Sequence, residues 1–206
     1  MQDCAKQHGM VIVVPIHQEK MTGVYFNTAA AIAADGSYLG KSRKNHIPHV
    51  VGFREKFFFK HGNSDWPVFA TAYCKRGVYI CYDRRFPEDW RALALGGAEY
   101  IVNPSPAVAG LSQDLWELEQ PAAAAANDVL IGAIDQAGSE APWNIGESYG
   151  SSYVVNPRGE IVAQASDDSD ELLIHEIDLD MVRKIRNNWQ FFRDRRPELY
   201  DPLIEL

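Results

Sequence analysis

Apolar and polar positions alternate in short blocks along this chain. Val11-Ile12-Val13-Val14-Pro15-Ile16 is a continuous apolar run, the pattern of a strand covered on both faces. Tyr25 to Ala34 is a second run, and Asp35-Gly36 turns it toward Tyr38 and Leu39, which predicts a hairpin. Val68 to Tyr73 and Val78 to Cys81 predict another, turning at Lys75-Arg76-Gly77. Further strands are predicted at Tyr100 to Val102, ending at Asn103-Pro104, and at Val129 to Ile134 and Ser152 to Val155. Pro157-Arg158-Gly159 turns into Ile161 to Ala165, and Leu172 to Ile177 is a last strand.

Helical segments lie between these strands. Pro87 to Leu95 opens with proline at a first-turn position and stops at Gly96-Gly97. Leu111 to Asn127 is helical in composition, with Pro121 predicted to kink or restart it. Asp178 is placed to cap a helix through Arg186. Lys41 to Phe59 and Gly138 to Glu147 read as irregular. Strands mix with helices and hairpins with crossovers, which predicts an α/β fold with a mixed, layered sheet. The 206 residues form a single domain over 1–206, with no repeat or linker.

Charge and cysteine usage narrow the classes. The formal net charge is −8, and Arg193, Arg195 and Arg196 are interleaved with Asp194, Glu198 and Asp201. No nucleic-acid partner is expected from that pattern. No apolar run reaches membrane-spanning length, and the first residues lack the apolar core of a signal peptide. Cys4, Cys74 and Cys81 are odd in number, without metal spacing. Free thiols in a reducing, cytoplasmic setting are expected.

Cys81 is the residue with the clearest chemistry. In Gly77-Val78-Tyr79-Ile80-Cys81-Tyr82-Asp83-Arg84-Arg85-Phe86-Pro87-Glu88 an apolar run ends at the thiol and Pro87 opens a helix. A cysteine at a strand–turn–helix bend projects past the sheet edge, as in a nucleophile elbow. Positive charge and a helix start both favour thiolate. The bland alternative is a small buried hydrophobe, and spacing alone leaves both open. Arg84 and Arg85 can fork onto a carboxylate, or one can pair with Asp83 or Glu88 and only organise the turn. His46 and His49 make a weak His-x-x-His pattern without further ligands. No metal is expected there, and His46 reads as a hydrogen-bonding support for its loop.

Two motifs upstream complete a pattern. They are Gly40-Lys41-Ser42-Arg43-Lys44-Asn45-His46-Ile47-Pro48 and Arg54-Glu55-Lys56-Phe57-Phe58-Phe59-Lys60-His61-Gly62-Asn63. With the Cys81 segment, and with Trp116 to Pro121, Tyr149 to Tyr153 and Trp189 to Pro197, they closely resemble the nitrilase superfamily of carbon–nitrogen hydrolases. The likeness runs over essentially the whole chain. Within the superfamily it is greatest to the N-carbamoyl-amino-acid amidohydrolases, β-ureidopropionases above all.

The resemblance implies a four-layer αββα sandwich and a Glu-Lys-Cys catalytic set. Cys81 matches the nucleophile, Lys44 the catalytic lysine, and Glu55 a second glutamate that positions lysine and substrate. The aromatic run after Glu55 predicts a buried carboxylate, which needs a cation such as Lys44. Lys44 and the backbone N–H of Tyr82 would form an oxyanion hole. Arg84 and Arg85 would hold a substrate carboxylate, and Asn103 would add a hydrogen bond. The implied reaction is hydrolysis of the carbamoyl C–N bond of N-carbamoyl amino acids, N-carbamoyl-β-alanine favoured, to amino acid, carbon dioxide and ammonia. No cofactor is implied. The implied partners are the small carbamoyl amino acid and further copies of the chain, as a homodimer or larger homo-oligomer. Trp189, Phe191 and Phe192 would anchor the tail for packing or dimerisation.

One departure goes with the likeness. The family's general-base glutamate belongs to a strand–helix–strand region ahead of the first strand seen here, so the expected sandwich is N-terminally truncated. Glu19, the sole glutamate before Lys44, follows that strand and does not match. Two readings stay open: a carbamoylase whose base lies outside these residues, and a catalytically impaired pseudoenzyme or oligomerisation partner. A Cys–His hydrolase is a weaker third, since no histidine motif pairs with Cys81.

Overall fold

The computed structural model describes residues 1–50, 53–108, 110, 112–139 and 146–205. A helix not foreseen in the pattern, α1 (Gln2–His8), comes first. Strands β1 (Ile12–Met21), β2 (Val24–Ile32) and β3 (Tyr38–Arg43) then form an antiparallel meander. The β2–β3 hairpin turns at Asp35-Gly36 as expected, and Asp35 Oδ1 accepts the Ser37 N–H at 2.8 Å.

A six-stranded sheet follows. Its members are β4 (Val68–Ala70), β5 (Lys75–Val78), β6 (Tyr100–Ser105) and β7 (Leu130–Asp135), then β10 (Tyr153–Val155) and β11 (Ile161–Gln164), in the order β11-β10-β7-β6-β5-β4. Between β7 and β10 lies a small ladder of β8 (Ala137–Gly138) and β9 (Ser148–Tyr149). Strands β5, β6 and β7 are parallel, and both flanks are antiparallel. The parallel connections are made by α2 (Pro87–Leu95) and α3 (Gln113–Asn127), as such crossovers require. A last helix, α4 (Asp180–Asn188), follows the sheet, and Asp178 Oδ1 accepts the Asp180 N–H at its start.

The large sheet is buried on both faces. On one face Trp90 and Leu93 of α2 and Trp116 and Ala124 of α3 pack on Ile101, Ile131 and Val155. On the other, Val78, Ile80 and Val102 meet Ala29 and Ala31 of β2. Each large side chain so buried contributes about 1.5–3 kcal/mol. The layers are helices, six-stranded sheet and three-stranded sheet, the centre of an α/β sandwich. Among the described residues, the helix on the side of the small sheet is α1, packed at the Gly36 turn. After α4, Phe192 lies between the guanidinium groups of Arg91 and Arg186, while Trp189 and Phe191 are more exposed.

Several boundaries differ from the pattern-based expectation. Lys75-Arg76-Gly77 is not a turn: Gly77 pairs with Val68 inside the ladder. The turn is Thr71 to Cys74, closed by Thr71 Oγ1 donating to the Cys74 carbonyl at 2.6 Å. Strand β1 is not covered on both faces, because it is the edge of the small sheet and Pro15, Ile16 and His17 are exposed. Helix α3 runs through Pro121 unbroken. Its buried face of Trp116, Gln120 and Ala124 holds it there, against a proline cost of about 3 kcal/mol. Leu172 to Ile177 is in no ladder among the described residues, and Leu172 and Ile174 are exposed. Leu111 and residues 140–145 of the predicted loop lie outside the described residues. No helix described is long and apolar enough to cross a membrane.

Candidate active site

Strand β5 ends at Val78, and the chain enters α2 through a single 3-10 turn, Cys81–Arg85. Cys81 opens that turn with φ 50°, in the left-handed region. A non-glycine residue there costs about 1–2 kcal/mol, so the surroundings must hold it. They do so by several bonds. The Asp83 N–H donates to the Ile80 carbonyl at 3.1 Å, and Asp83 Oδ2 accepts the Ile80 N–H at 3.4 Å. The Tyr79 hydroxyl donates to the Phe86 carbonyl at 2.6 Å, and Trp90 Nε1 donates to the Arg84 carbonyl at 3.1 Å.

The segment carrying Lys44 runs beside this turn and is tied to it on both sides. Ser42 Oγ donates to the Val78 carbonyl at 3.4 Å, and the His46 N–H donates to Asp83 Oδ1 at 2.8 Å. Ser42 and His46 flank Lys44 while Val78 and Asp83 flank Cys81, so the two chemical residues are held on adjoining segments. The Lys44 side chain is fully enclosed, with Nζ 2.9 and 2.8 Å from Glu55 Oε1 and Oε2. The expected carboxylate–cation pair is therefore present. The aromatic run does not bury it, since Phe57 and Phe58 point outward at 82% and 61% exposure. Gly62 closes the loop: its N–H donates to the Lys44 carbonyl at 2.8 Å. A Cβ at Gly62 would fall 2.2 Å from Asn45 Oδ1 and 2.6 Å from the Arg43 carbonyl.

Cys81 lies in the walls of two clefts. One, of about 350 Å³, has apolar walls from Pro48, Phe53, Tyr82, Pro106 and Val108, with Arg84, Arg85 and Ser112 as polar members. The other, of about 790 Å³, is bounded by His17, Asn27, Phe59, Ser105, Asp135 and Gln136 among others. Burial pushes the Asp135 carboxyl up to about 7, against the pull of the Ala107 and Gln136 N–H groups and Arg84. Glu19 is exposed on β1 and lines neither cleft.

The two arginines have different surroundings. Arg84 is buried: Nη1 donates to the Cys81 carbonyl at 3.2 Å and to Ser105 Oγ at 3.1 Å. Its Nε lies 3.4 Å from Glu119 Oε2, and its guanidinium covers the Trp116 ring. Arg85 pairs with Glu119 Oε1 through Nη1 and keeps 22% of its side chain exposed at the cleft, against 4% for Arg84. Neither pairs with Asp83 or Glu88. Arg84 thus stands in the cleft wall with its guanidinium already engaged by Cys81, Ser105 and Glu119, while Arg85 keeps the more open edge. Glu119 was not singled out from the sequence, although two adjacent arginines at a site call for a carboxylate. Asn103 also differs from expectation: it is fully buried and lines neither cleft. Its Nδ2 donates to the Tyr79 carbonyl at 2.7 Å, which links β6 to the strand leading into the turn.

His46, Asp83 and Asp89 have the composition of a metal site, with ligand atoms within 4.8 Å of one another. One ring nitrogen, Nδ1, lies 3.0 Å from both Asp83 Oδ1 and Asp89 Oδ2, with hydrogen-bond geometry to Asp83 and a charge contact to Asp89.

With this geometry in hand, known proteins can be set beside the chain. The sequence profile described as Carbon-nitrogen hydrolase matches residues 1–187. An N-carbamoylputrescine amidase of Arabidopsis thaliana is 42% identical over 218 residues, covering 100% of this chain and 72% of that protein. A beta-ureidopropionase of Arabidopsis thaliana is 37% identical over 219 residues, covering 99% of this chain and 54% of that protein. The crystal structure of a carbon-nitrogen hydrolase from Helicobacter pylori G27 superposes with a TM-score of 0.91 at 34% identity, over 100% of this chain and 74% of that one.

Proposed function

The chain belongs to the carbon–nitrogen hydrolase family, and from that premise we propose that it hydrolyses the carbamoyl C–N bond of a small N-carbamoyl compound through Cys81. The carrying observation is the position of Cys81, at a strained strand–turn–helix bend in the wall of a cleft, on a turn hydrogen-bonded to the segment that carries the Lys44–Glu55 pair. The Cys81 thiolate bonds to the carbamoyl carbon, and the carbonyl electron pair moves onto oxygen. The Lys44 ammonium and the N–H of Tyr82 at the start of the turn stabilise that oxyanion. Collapse breaks the C–N bond, ammonia leaves with a proton, and a carbamoyl thioester remains on sulfur. Water opens the thioester, the thiol regains its proton, and the released carbamate loses carbon dioxide. Each half-reaction needs a group that accepts and returns a proton. The family likeness gives that part to a glutamate ahead of β1, and Glu19 does not stand in for it.

For the substrate, we favour an N-carbamoyl amino acid, N-carbamoyl-β-alanine first. Arg85 is the cleft cation with exposed surface, and guanidinium forks onto carboxylate. The short apolar walls suit a small aliphatic linker. A cationic tail, such as the amine of a carbamoylated diamine, would meet Arg85 unfavourably. The free thiols support a reducing, cytoplasmic setting. Exposed Trp189, Leu199, Leu203 and Ile204 support a homo-oligomer.

The test is ammonia release from N-carbamoyl-β-alanine and N-carbamoylputrescine, with intact-mass detection of a Cys81 adduct and Cys81→Ala as control. Faster turnover of the carboxylated substrate, lost in Cys81→Ala, is expected. Preference for N-carbamoylputrescine would overturn the carboxylate assignment. No turnover of either substrate and no adduct would leave a catalytically impaired oligomerisation partner as the better account.

A further inference from the structure

We propose that His46 is a positioning residue: its ring, held between Asp83 and Asp89, clamps the Lys44 segment onto the turn that carries Cys81. The proposal rests on the roles given to Cys81 and Lys44 above. Its geometry joins three elements at one nitrogen. His46 is two residues past Lys44, Asp83 is two residues past Cys81, and Asp89 is in the first turn of α2. Nδ1 stands 3.0 Å from a carboxylate oxygen of each aspartate. The His46 N–H also donates to Asp83 Oδ1 at 2.8 Å, so ring and backbone converge on one oxygen. The ring is stacked on Phe86 with centroids 3.6 Å apart, and the Trp66 ring lies near-parallel to it at 6.4 Å. The imidazole is therefore fixed in its plane by aromatic contact and in direction by the Asp83 hydrogen bond, with the Asp89 charge beside it.

Electrostatics explains why the clamp needs charge. Asp83 and Asp89 are both buried, and two adjacent buried carboxylates require a cation or a proton. Asp83, Asp89 and Glu88 face the ring, and Tyr79 faces Asp89. Burial lowers the proton affinity of His46, but the Asp83 hydrogen bond and the charges of Asp89, Asp83 and Glu88 outweigh it, so the ring holds its proton above the ordinary histidine range. Burial likewise pushes Asp89 up to about 7, with His46 pulling the other way. His46 and Asp89 are thus coupled, each acting on the other's proton through its charge. Once the ring is neutral, the cation facing the two buried carboxylates is lost, and the tie between α2, the turn and the lysine segment weakens. A displacement of about 1 Å at a reacting pair costs on the order of 100-fold in rate.

The test uses the whole chain with the variants His46→Gln and Asp89→Asn. Cys81 alkylation by iodoacetamide, followed by intact mass, reads the nucleophile without any choice of substrate. Ammonia release reads turnover, NMR of the His46 ring protons reads its titration, and circular dichroism checks the fold. For His46→Gln, alkylation about 10- to 100-fold slower than wild type is expected below the His46 midpoint, with the gap closing above it. For Asp89→Asn, removal of one anion lowers the His46 midpoint, and the pH at which wild-type reactivity begins to fall moves down with it. An alkylation rate in folded His46→Gln equal to wild type at every pH would overturn the proposal. So would an Asp89→Asn variant whose ring midpoint moves while Cys81 reactivity stays in place, and this second arm decides the matter if His46→Gln does not fold. Absence of ammonia release from wild type, with alkylation still dependent on His46, would sink the proposed substrate chemistry and leave the clamp standing.

Discussion

Lys44 Nζ sits between both carboxylate oxygens of Glu55, at 2.9 and 2.8 Å, with the lysine side chain fully enclosed. Breaking such a pair from one side strands a buried charge, at a cost of about 3–5 kcal/mol. Glu55 keeps 17% side-chain exposure, which places Glu55→Gln at the lower end. Chemical denaturation should show a loss of about 3 kcal/mol, and ammonia release should fall by about 100-fold or more. The double variant Lys44→Met/Glu55→Gln should recover stability without recovering turnover, because it removes both charges and with them the oxyanion partner. Full stability in Glu55→Gln alone would show that the pair is not held as described.

Cys81 carries its thiol at φ 50°. Both Cys81→Ala and Cys81→Gly delete the nucleophile, so neither should release ammonia. They should differ in stability: glycine relieves the left-handed strain, and Cys81→Gly should be more stable than Cys81→Ala by about 1 kcal/mol. Thermal melts of the two proteins side by side measure this, and equal melting would mean that the turn carries no strain.

Gly62 lies outside both clefts but against the backbone of Arg43 and Lys44. Gly62→Ala forces a methyl group within 3 Å of two carbonyls and the Asn45 side chain. Overpacking of this kind costs about 1–3 kcal/mol. The displaced segment is the one that holds Lys44, so kcat should fall more than KM rises. A change confined to KM would place the effect elsewhere.

Asp135 gives a pH dependence whose sign can be worked out. Its folded-state value, about 7, is above the ordinary carboxylate range because of burial. The unfolded chain therefore releases this proton near pH 4 while the folded protein keeps it. The Asp135 contribution to stability falls as pH rises from about 4 to about 7 and is level above that. Asp135→Asn retains the Oδ1 that accepts the Ala107 and Gln136 N–H groups and cannot ionise. Its stability relative to wild type should therefore improve between pH 4 and 7, as followed by denaturation at each pH. A constant difference across that interval would remove Asp135 as a titrating group.

Much of the site was legible because its signals are local. The α2 boundaries, Pro87–Leu95, follow from a proline that tolerates a first turn and a Gly96-Gly97 stop. The Cys81 bend follows from an apolar run meeting that helix. The β2–β3 hairpin follows from Asp35-Gly36. Other local signals misled. Gly77 resembles a turn residue and instead lies in β5, and Pro121 resembles a helix break but is carried by the packing of α3. In both, tertiary contacts outweighed a backbone preference worth a few kcal/mol.

From sequence alone came the α/β class, the strand–turn–helix around Cys81, and the candidate set Cys81, Lys44 and Glu55, since these depend on residue type, spacing and family likeness. Tertiary structure decided how each charge at the cleft is engaged. Arg84 and Arg85 are adjacent in sequence, yet one is sequestered by Ser105, Glu119 and the Trp116 ring while the other keeps an open edge. Asn103 was drawn into the strand layer, and His46 was placed between two aspartates. Those outcomes depend on desolvation and on partners distant along the chain, such as Glu119 on α3. A charged group's environment is a property of the packed layers, and no local spacing specifies it.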